Sequence, residues 1–131
     1  MKKKILFIIL IVLIIFMLLL VVLKINSNNN SNQLSDINVS NITFKDISYY
    51  YNDNRTTFKL NAVSNNNEKL KLNNYNILIY DDNDNLIDIY NFNNSYVFEK
   101  GNMYYMEFVI DMEYKDSYKL KIELPELEVI K

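Results

Sequence analysis

Hydrophobic and polar positions divide this chain into two regimes. Ile5 through Leu23 reads ILFIILIVLIIFMLLLVVL, without one polar side chain. As a helix at about 1.5 Å per residue this run spans roughly 28 Å, close to the roughly 30 Å hydrocarbon core of a bilayer. From Asn38 onward the period changes to two, the signature of strands with one covered face. Tyr118, Leu120, Ile122 and Leu124 alternate with Lys119, Lys121 and Glu123, and Phe58, Leu60 and Ala62 alternate with Thr57, Lys59 and Asn61. Tyr75–Tyr80 and Met103–Ile110 are apolar at nearly every position, which predicts central or doubly covered strands. The alternation Ile42, Phe44 then Ile47, Tyr49, Tyr51 shifts phase near Lys45 and Asp46, as a β-bulge or a bend requires.

Polar clusters punctuate these runs at Asn52–Arg55, Ser64–Glu68, Asp81–Asn85, Asn91–Ser95, Lys100–Asn102 and Met112–Asp116. Asn and Asp tolerate the left-handed backbone that Gly would otherwise supply. About seven short strands at 8–12-residue spacing predict an all-β, antiparallel sandwich behind one N-terminal transmembrane helix. No sustained 3.6-residue period occurs outside the span, so no helix is expected there. The predicted organisation is a basic tip (1–4), the span (5–23), a flexible Asn/Ser-rich stalk (24–37) and a β domain (38–131). The stalk, extended, would reach at most roughly 35 Å.

Charge refines the topology. Lys2, Lys3 and Lys4 precede the span and only Lys24 follows it, which predicts a cytoplasmic N-terminus and an extracytoplasmic C-terminal domain at a cell membrane. The anchor residues on this reading include Ile5, Leu6, Phe7, Ile14, Phe16, Leu20 and Leu23, and the partner they meet is the lipid bilayer. A cleaved signal peptide would have a shorter apolar run and small residues at the cleavage point, whereas Lys24-Ile25-Asn26-Ser27 follows here. Beyond Lys24 the chain has 10 basic residues against 16 acidic ones, a net −6. Nucleic-acid binding needs clustered Lys and Arg, so none is expected.

Composition narrows the chemistry. The chain has no Cys and no His, which removes disulfides, thiolate metal sites, Cys-linked lipid and imidazole acid–base chemistry. Abundant Asn, Ile, Lys and Tyr beside one Gly (Gly101) and one Pro (Pro125) match the A/T-rich codons of a low-GC bacterial genome.

Asn61-Ala62-Val63-Ser64-Asn65-Asn66, then Ile77-Leu78-Ile79-Tyr80-Asp81, then Asn85-Leu86-Ile87 resembles the FxLYD-type domains of bacterial membrane-anchored envelope proteins. Tyr80 and Asp81 match that pattern, and Ile77 and Ile79 replace its Phe and Leu. The resemblance implies an immunoglobulin-like sandwich, with a hydrophobic-x-hydrophobic-Tyr-Asp strand entering a tight hairpin. It brings no catalytic residues.

Three constellations carry possible chemistry. Asp81, Asn83 and Asn85 have the spacing that opens a calcium loop, but Leu86 stands where that loop needs Gly and Phe92 where it needs Glu. An acidic hairpin turn is the expectation, with no metal and no cofactor. Tyr50 and one of the pair Tyr104-Tyr105, taken as Tyr104, are candidates for a contact surface, because adjacent aromatics on a strand point to opposite faces. Glu107, Asp111 and Glu113 are a distant candidate for a carboxylate enzyme, which would need a deep cleft around Glu107. A non-catalytic accessory or interaction module, with an envelope protein or cell-wall material as partner, is the leading expectation. A pilin-like or secretion-assembly subunit is the alternative. The oligomeric state is left open by the sequence.

Overall fold

A computed structural model describes residues 2–28 and 31–131. They form two compact units, Met1–Ser31 and Asn32–Lys131. The first is one helix, α1 (Lys2–Asn28). It runs five residues past the predicted span, so residues 24–28 are helical rather than stalk. From Ile5 to Leu23 every side chain is exposed. The helix is long and apolar enough to cross a bilayer, with a mean hydropathy of 3.9.

The second unit has eleven strands: β1 (Asn32–Gln33), β2 (Ile37–Val39), β3 (Ile42–Asn52), β4 (Arg55–Ser64), β5 (Lys69–Leu72), β6 (Tyr75–Tyr80), β7 (Leu86–Phe92), β8 (Tyr96–Phe98), β9 (Met103–Ile110), β10 (Lys119–Glu123) and β11 (Leu127–Ile130). All the strand pairs among them are antiparallel. Register reduces them to seven interrupted strands. β1 and β2 pair with β3 on one continuous register, Asn32↔Tyr49 through Val39↔Ile42. The bond from Leu34 N–H to the Ile47 carbonyl, 2.8 Å, lies on the same register between them. Likewise β10 pairs with β6 and β11 with β5 in one register, Lys119↔Tyr80 to Ile130↔Lys69. β7 on β6 and β8 on β5 differ from each other by a single-residue slip. The architecture is therefore one sheet of four interrupted strands, β1/β2–β3–β4–β9, and two three-stranded segments, β10–β6–β7 and β11–β5–β8. The shared register of β10 and β11 makes these segments one interrupted three-stranded sheet, β10/β11–β6/β5–β7/β8. The expected antiparallel all-β fold of about seven strands behind one apolar helix is what forms.

The segment 32–37, read as stalk, belongs to the β domain. Asn32–Gln33 and Ile37 occupy ladder positions against β3, and Leu34 and Ile37 pack against the core. Two apolar residues in a polar stretch were enough to dock it, because they cover the free side of β3.

The two sheets meet through aromatic contacts. Phe108 on β9 stacks on Phe58 of β4 (4.9 Å, 15°) and meets Tyr75 of β6 (6.3 Å) and Phe92 of β7 (5.5 Å). Phe98 of β8 meets Tyr104 of β9 edge-on at 5.0 Å. The phase shift read near Lys45 is a bulge between Lys45 and Ser48, with Asp46 at φ 53°. Two-residue hairpins at Ser40-Asn41 and Asp53-Asn54 have positive φ at both positions, the type I′ geometry that suits twisted strands. Asn, Asp and one Ser thus take the place of glycine. β6 is central, as its two apolar faces predicted, but β9 is not. It is an edge strand whose Met103, Tyr105, Glu107 and Val109 are exposed while Met106, Phe108 and Ile110 are buried.

Candidate contact surface

Alternation along β9 decides which tyrosine faces out. Glu107 is exposed, so the odd-numbered positions of this strand face solvent and the even ones the core. Tyr104 therefore points inward. Its ring packs on Phe98, and its hydroxyl accepts the Glu99 N–H at 3.0 Å. This corrects the assignment of Tyr104 to a contact surface; the outward residue is Tyr105, 59% exposed. Tyr50 does face outward and is half-buried, with Lys59 Nζ 5.4 Å from its ring centroid. Tyr105 donates to Glu107 Oε2 at 2.8 Å, and that carboxylate raises the pKa of the phenol. Tyr50, Lys59, Tyr105 and Glu107 thus form a mixed aromatic and charged outer face on the four-stranded sheet.

The opposite sheet has a more apolar margin. Leu86, Ile87 and Ile89 of β7 are 47%, 41% and 45% exposed. β7 is an edge strand, and a bulge between Ile79 and Tyr80 leaves Ile87 outside the ladder. Ile89 lies opposite Leu78 on the outer face. The Asp88 carboxylate accepts the Ile89 N–H at 2.8 Å. Alternation alone missed this margin, since Leu, Ile and Ile read equally well as core.

The Asp81–Asn85 segment is a self-contained turn. Asp81 Oδ1 accepts the N–H groups of Asn83 and Asn85 at 2.9 Å each, and its other oxygen accepts Asn85 Nδ2 at 3.0 Å. Those bonds from Asn85, side chain first, lower the Asp81 pKa. Asp84, at φ 63°, pairs with Lys119. The acidic side chains here are thus engaged in holding the hairpin, the role the missing Gly and Glu positions predicted.

The three carboxylates near the end of β9 do not converge on a cleft. Glu107 lies on the outer face with Tyr105, while Asp111 pairs with Arg55 at 2.9 Å on the surface. Glu113 is exposed. The connection from β9 to β10 is instead pinned by polar groups facing the core. Thr56 Oγ1, fully buried, accepts the Tyr114 N–H (2.9 Å) and donates to the Met112 carbonyl (2.7 Å). Tyr114 donates to the Tyr118 carbonyl at 2.9 Å, and Tyr49 donates to Asp116. Replacing Thr56 with Val keeps the shape and removes both bonds. It should cost about 1–3 kcal/mol through the orphaned Tyr114 N–H and Met112 carbonyl, read as a lower urea midpoint with unchanged slope.

The anchor candidates all lie on α1. Ile5, Leu6, Phe7, Ile14, Phe16, Leu20 and Leu23 are each about half exposed or more, and Lys2, Lys3 and Lys4 form its first turn.

No family model matches the chain, and no curated protein matches it. Among solved structures it is similar to the trimeric lipoprotein SadB of Salmonella enterica. The TM-score is 0.55 at 12% identity, over 98% of this chain and 80% of that one. At that identity the likeness is one of fold.

Proposed function

We propose that this chain is a single-pass membrane protein, N-terminus cytoplasmic, that holds its β-sandwich outside the cytoplasm as a non-catalytic contact module of the cell envelope. The observation that carries the reading is α1: a helix with nineteen consecutive apolar, exposed side chains joined to a separately packed β unit. Such a helix has no means of burying that surface except lipid or other helices. The similarity of SadB, a lipoprotein, supports an envelope setting. With no cysteine to carry a thioether-linked lipid, the tether here is α1 itself.

The resemblance to FxLYD-type domains belongs to the same reading. It is supported by Tyr80 and Asp81, which end β6 and enter the tight hairpin to β7. A non-catalytic role is supported by the dispersal of Glu107 and Asp111 into separate surface pairs. An envelope protein or cell-wall polymer is the partner class for the outer faces.

Carbonate extraction and protease accessibility test the proposal together. The full chain should stay in the membrane pellet with an intact mass that includes Met1–Leu23, and protease added outside should digest only the β domain. Arginine at both Leu13 and Ile14 costs about 5–7 kcal/mol of insertion energy, against about 6–11 kcal/mol gained by the whole run. A large fraction of that variant should leave the pellet. Digestion of the β domain only after lysis would reverse the orientation.

A further inference from the structure

We propose that β7 is a self-pairing edge, through which two copies of the chain join antiparallel with Ile89 on the two-fold axis. The proposal rests on the reading that copies stand side by side on one membrane, where tethering raises their effective concentration. Its starting point is a contrast between the two edges of the three-stranded sheet. The β10/β11 edge presents Lys119 and Lys121, both exposed, and is interrupted at Pro125. Lysine and proline on an edge are the usual means of preventing strand addition. The β7 edge has no Lys, Arg or Pro, and it exposes Leu86, Ile87 and Ile89 in a chain where Lys is plentiful.

The backbone at this edge has the geometry such a pairing needs. Ile89 N–H is bonded to the side chain of Asp88 at 2.8 Å, which is what an edge amide does when no neighbouring strand accepts it. An Ile89↔Ile89 pair across the two-fold would then be a hydrogen-bonded pair, with each residue exchanging N–H and carbonyl. Ile87 would lie opposite Asn91, extending the ladder in both directions. Ile89 of each copy would stand on the same outer face, beside Leu78.

Charge selects this register. Asp88 is the sole charged residue between Leu86 and Phe92. Pairing centred on Asp88 would set two carboxylates directly opposite, which is destabilising. Pairing centred on Ile89 sets each Asp88 opposite Tyr90 of the other copy. Asp88 and Tyr90 stand two residues apart on β7 and so share a face in one chain. On association the carboxylate releases the Ile89 N–H to the partner strand and takes the facing Tyr90 hydroxyl instead. The net −6 of the outer part also confines self-contact to a margin with few charges, and β7 is such a margin.

The absence of cysteine makes the test direct. Ile89→Cys, Lys121→Cys on the opposite edge and Met103→Cys on β9 are placed singly in the full chain, reconstituted in liposomes, and oxidised mildly. A two-fold at Ile89 sets the Cα atoms about 5.5 Å apart, inside the disulfide range. Ile89→Cys should give the covalent dimer at least about ten-fold more efficiently than either control. Adding Ile87→Lys to Ile89→Cys should reduce that yield about ten-fold while circular dichroism stays the same. Equal yields at all three positions, or none at Ile89, would overturn the proposal, as would a native mass showing three-fold assembly or a β7 occupied by another protein. Carbonate extraction of the same samples reads the tether separately. Should the chain leave the membrane, the tether reading fails, and the Ile89 yield in the fraction that holds the protein still decides the pairing.

Discussion

Replacing Phe108 with alanine should remove about 3–5 kcal/mol of stability, the range for deleting a large buried aromatic ring. Small domains have about 5–15 kcal/mol in total, so the variant is expected to be largely unfolded in moderate urea. The reason lies in position as much as in size. Phe108 is 3% exposed and is the side chain on which both sheets converge: Phe58 from its own sheet, Tyr75 and Phe92 from the facing one. Truncation leaves a cavity between two layers that no disulfide can bridge, since the chain has no cysteine. Neighbouring Val109, 41% exposed on the outer face, provides the comparison. Val109→Ala should change stability by less than about 0.5 kcal/mol. There is no Trp, so near-ultraviolet dichroism from tyrosine is the appropriate probe, with urea as denaturant. Equal effects at the two positions would mean that Phe108 is not the junction between the layers.

That contrast also shows what a period of two can and cannot reveal. It located the strands, because alternation reports a covered face directly. It could not separate Met103, Tyr105 and Val109 from core residues, because an exposed apolar side chain and a buried one look alike in a sequence. The information needed was nevertheless present. Glu107 fixes the parity of β9, and counting from it puts Tyr105 outside and Tyr104 inside. Of the interruptions at Asn73-Asn74, Asn93–Ser95 and Leu124–Glu126, the polar clusters marked the second alone, within Asn91–Ser95. That the ladder resumes in register beyond them was not legible, since register is set by partners distant in the chain. The same holds for Leu34 and Ile37, whose docking depends on the β3 edge. The β7 margin was hidden for the first reason: hydrophobicity identified the strand, and only the sheet order shows it to be an edge. The turn at Asp81, by contrast, was readable locally, because an Asp side chain bonding amides two and four residues ahead is a short-range device.

Alkaline conditions should unfold the β domain cooperatively between about pH 10 and pH 12, through its buried tyrosines. Tyr49, Tyr75 and Tyr114 are 2%, 1% and 4% exposed. Burial pushes each phenol up to about 12 from an ordinary value of 10.0, and for Tyr49 the Asp116 carboxylate that accepts its hydroxyl adds to the effect. The phenol is neutral when protonated, so a raised pKa means that the folded state holds its proton more tightly than the unfolded chain does. Below pH 10 both states are protonated and the full stability is present. Between 10 and 12 the unfolded chain ionises first, and stability falls until the folded value is reached. Each pKa step of one corresponds to about 1.4 kcal/mol, so three such groups together remove several kcal/mol, a large share of what a domain this size has. Tyrosinate absorbance and far-ultraviolet dichroism should then change in one shared transition. Tyr49→Phe should move that transition to higher pH, since one ionising group and its facing carboxylate no longer drive it. Full ionisation of the tyrosines near pH 10 with the sheet signal intact would mean that these hydroxyls are open to water, and that the Tyr49–Asp116 and Tyr114–Tyr118 bonds do not close the β9–β10 connection over the core.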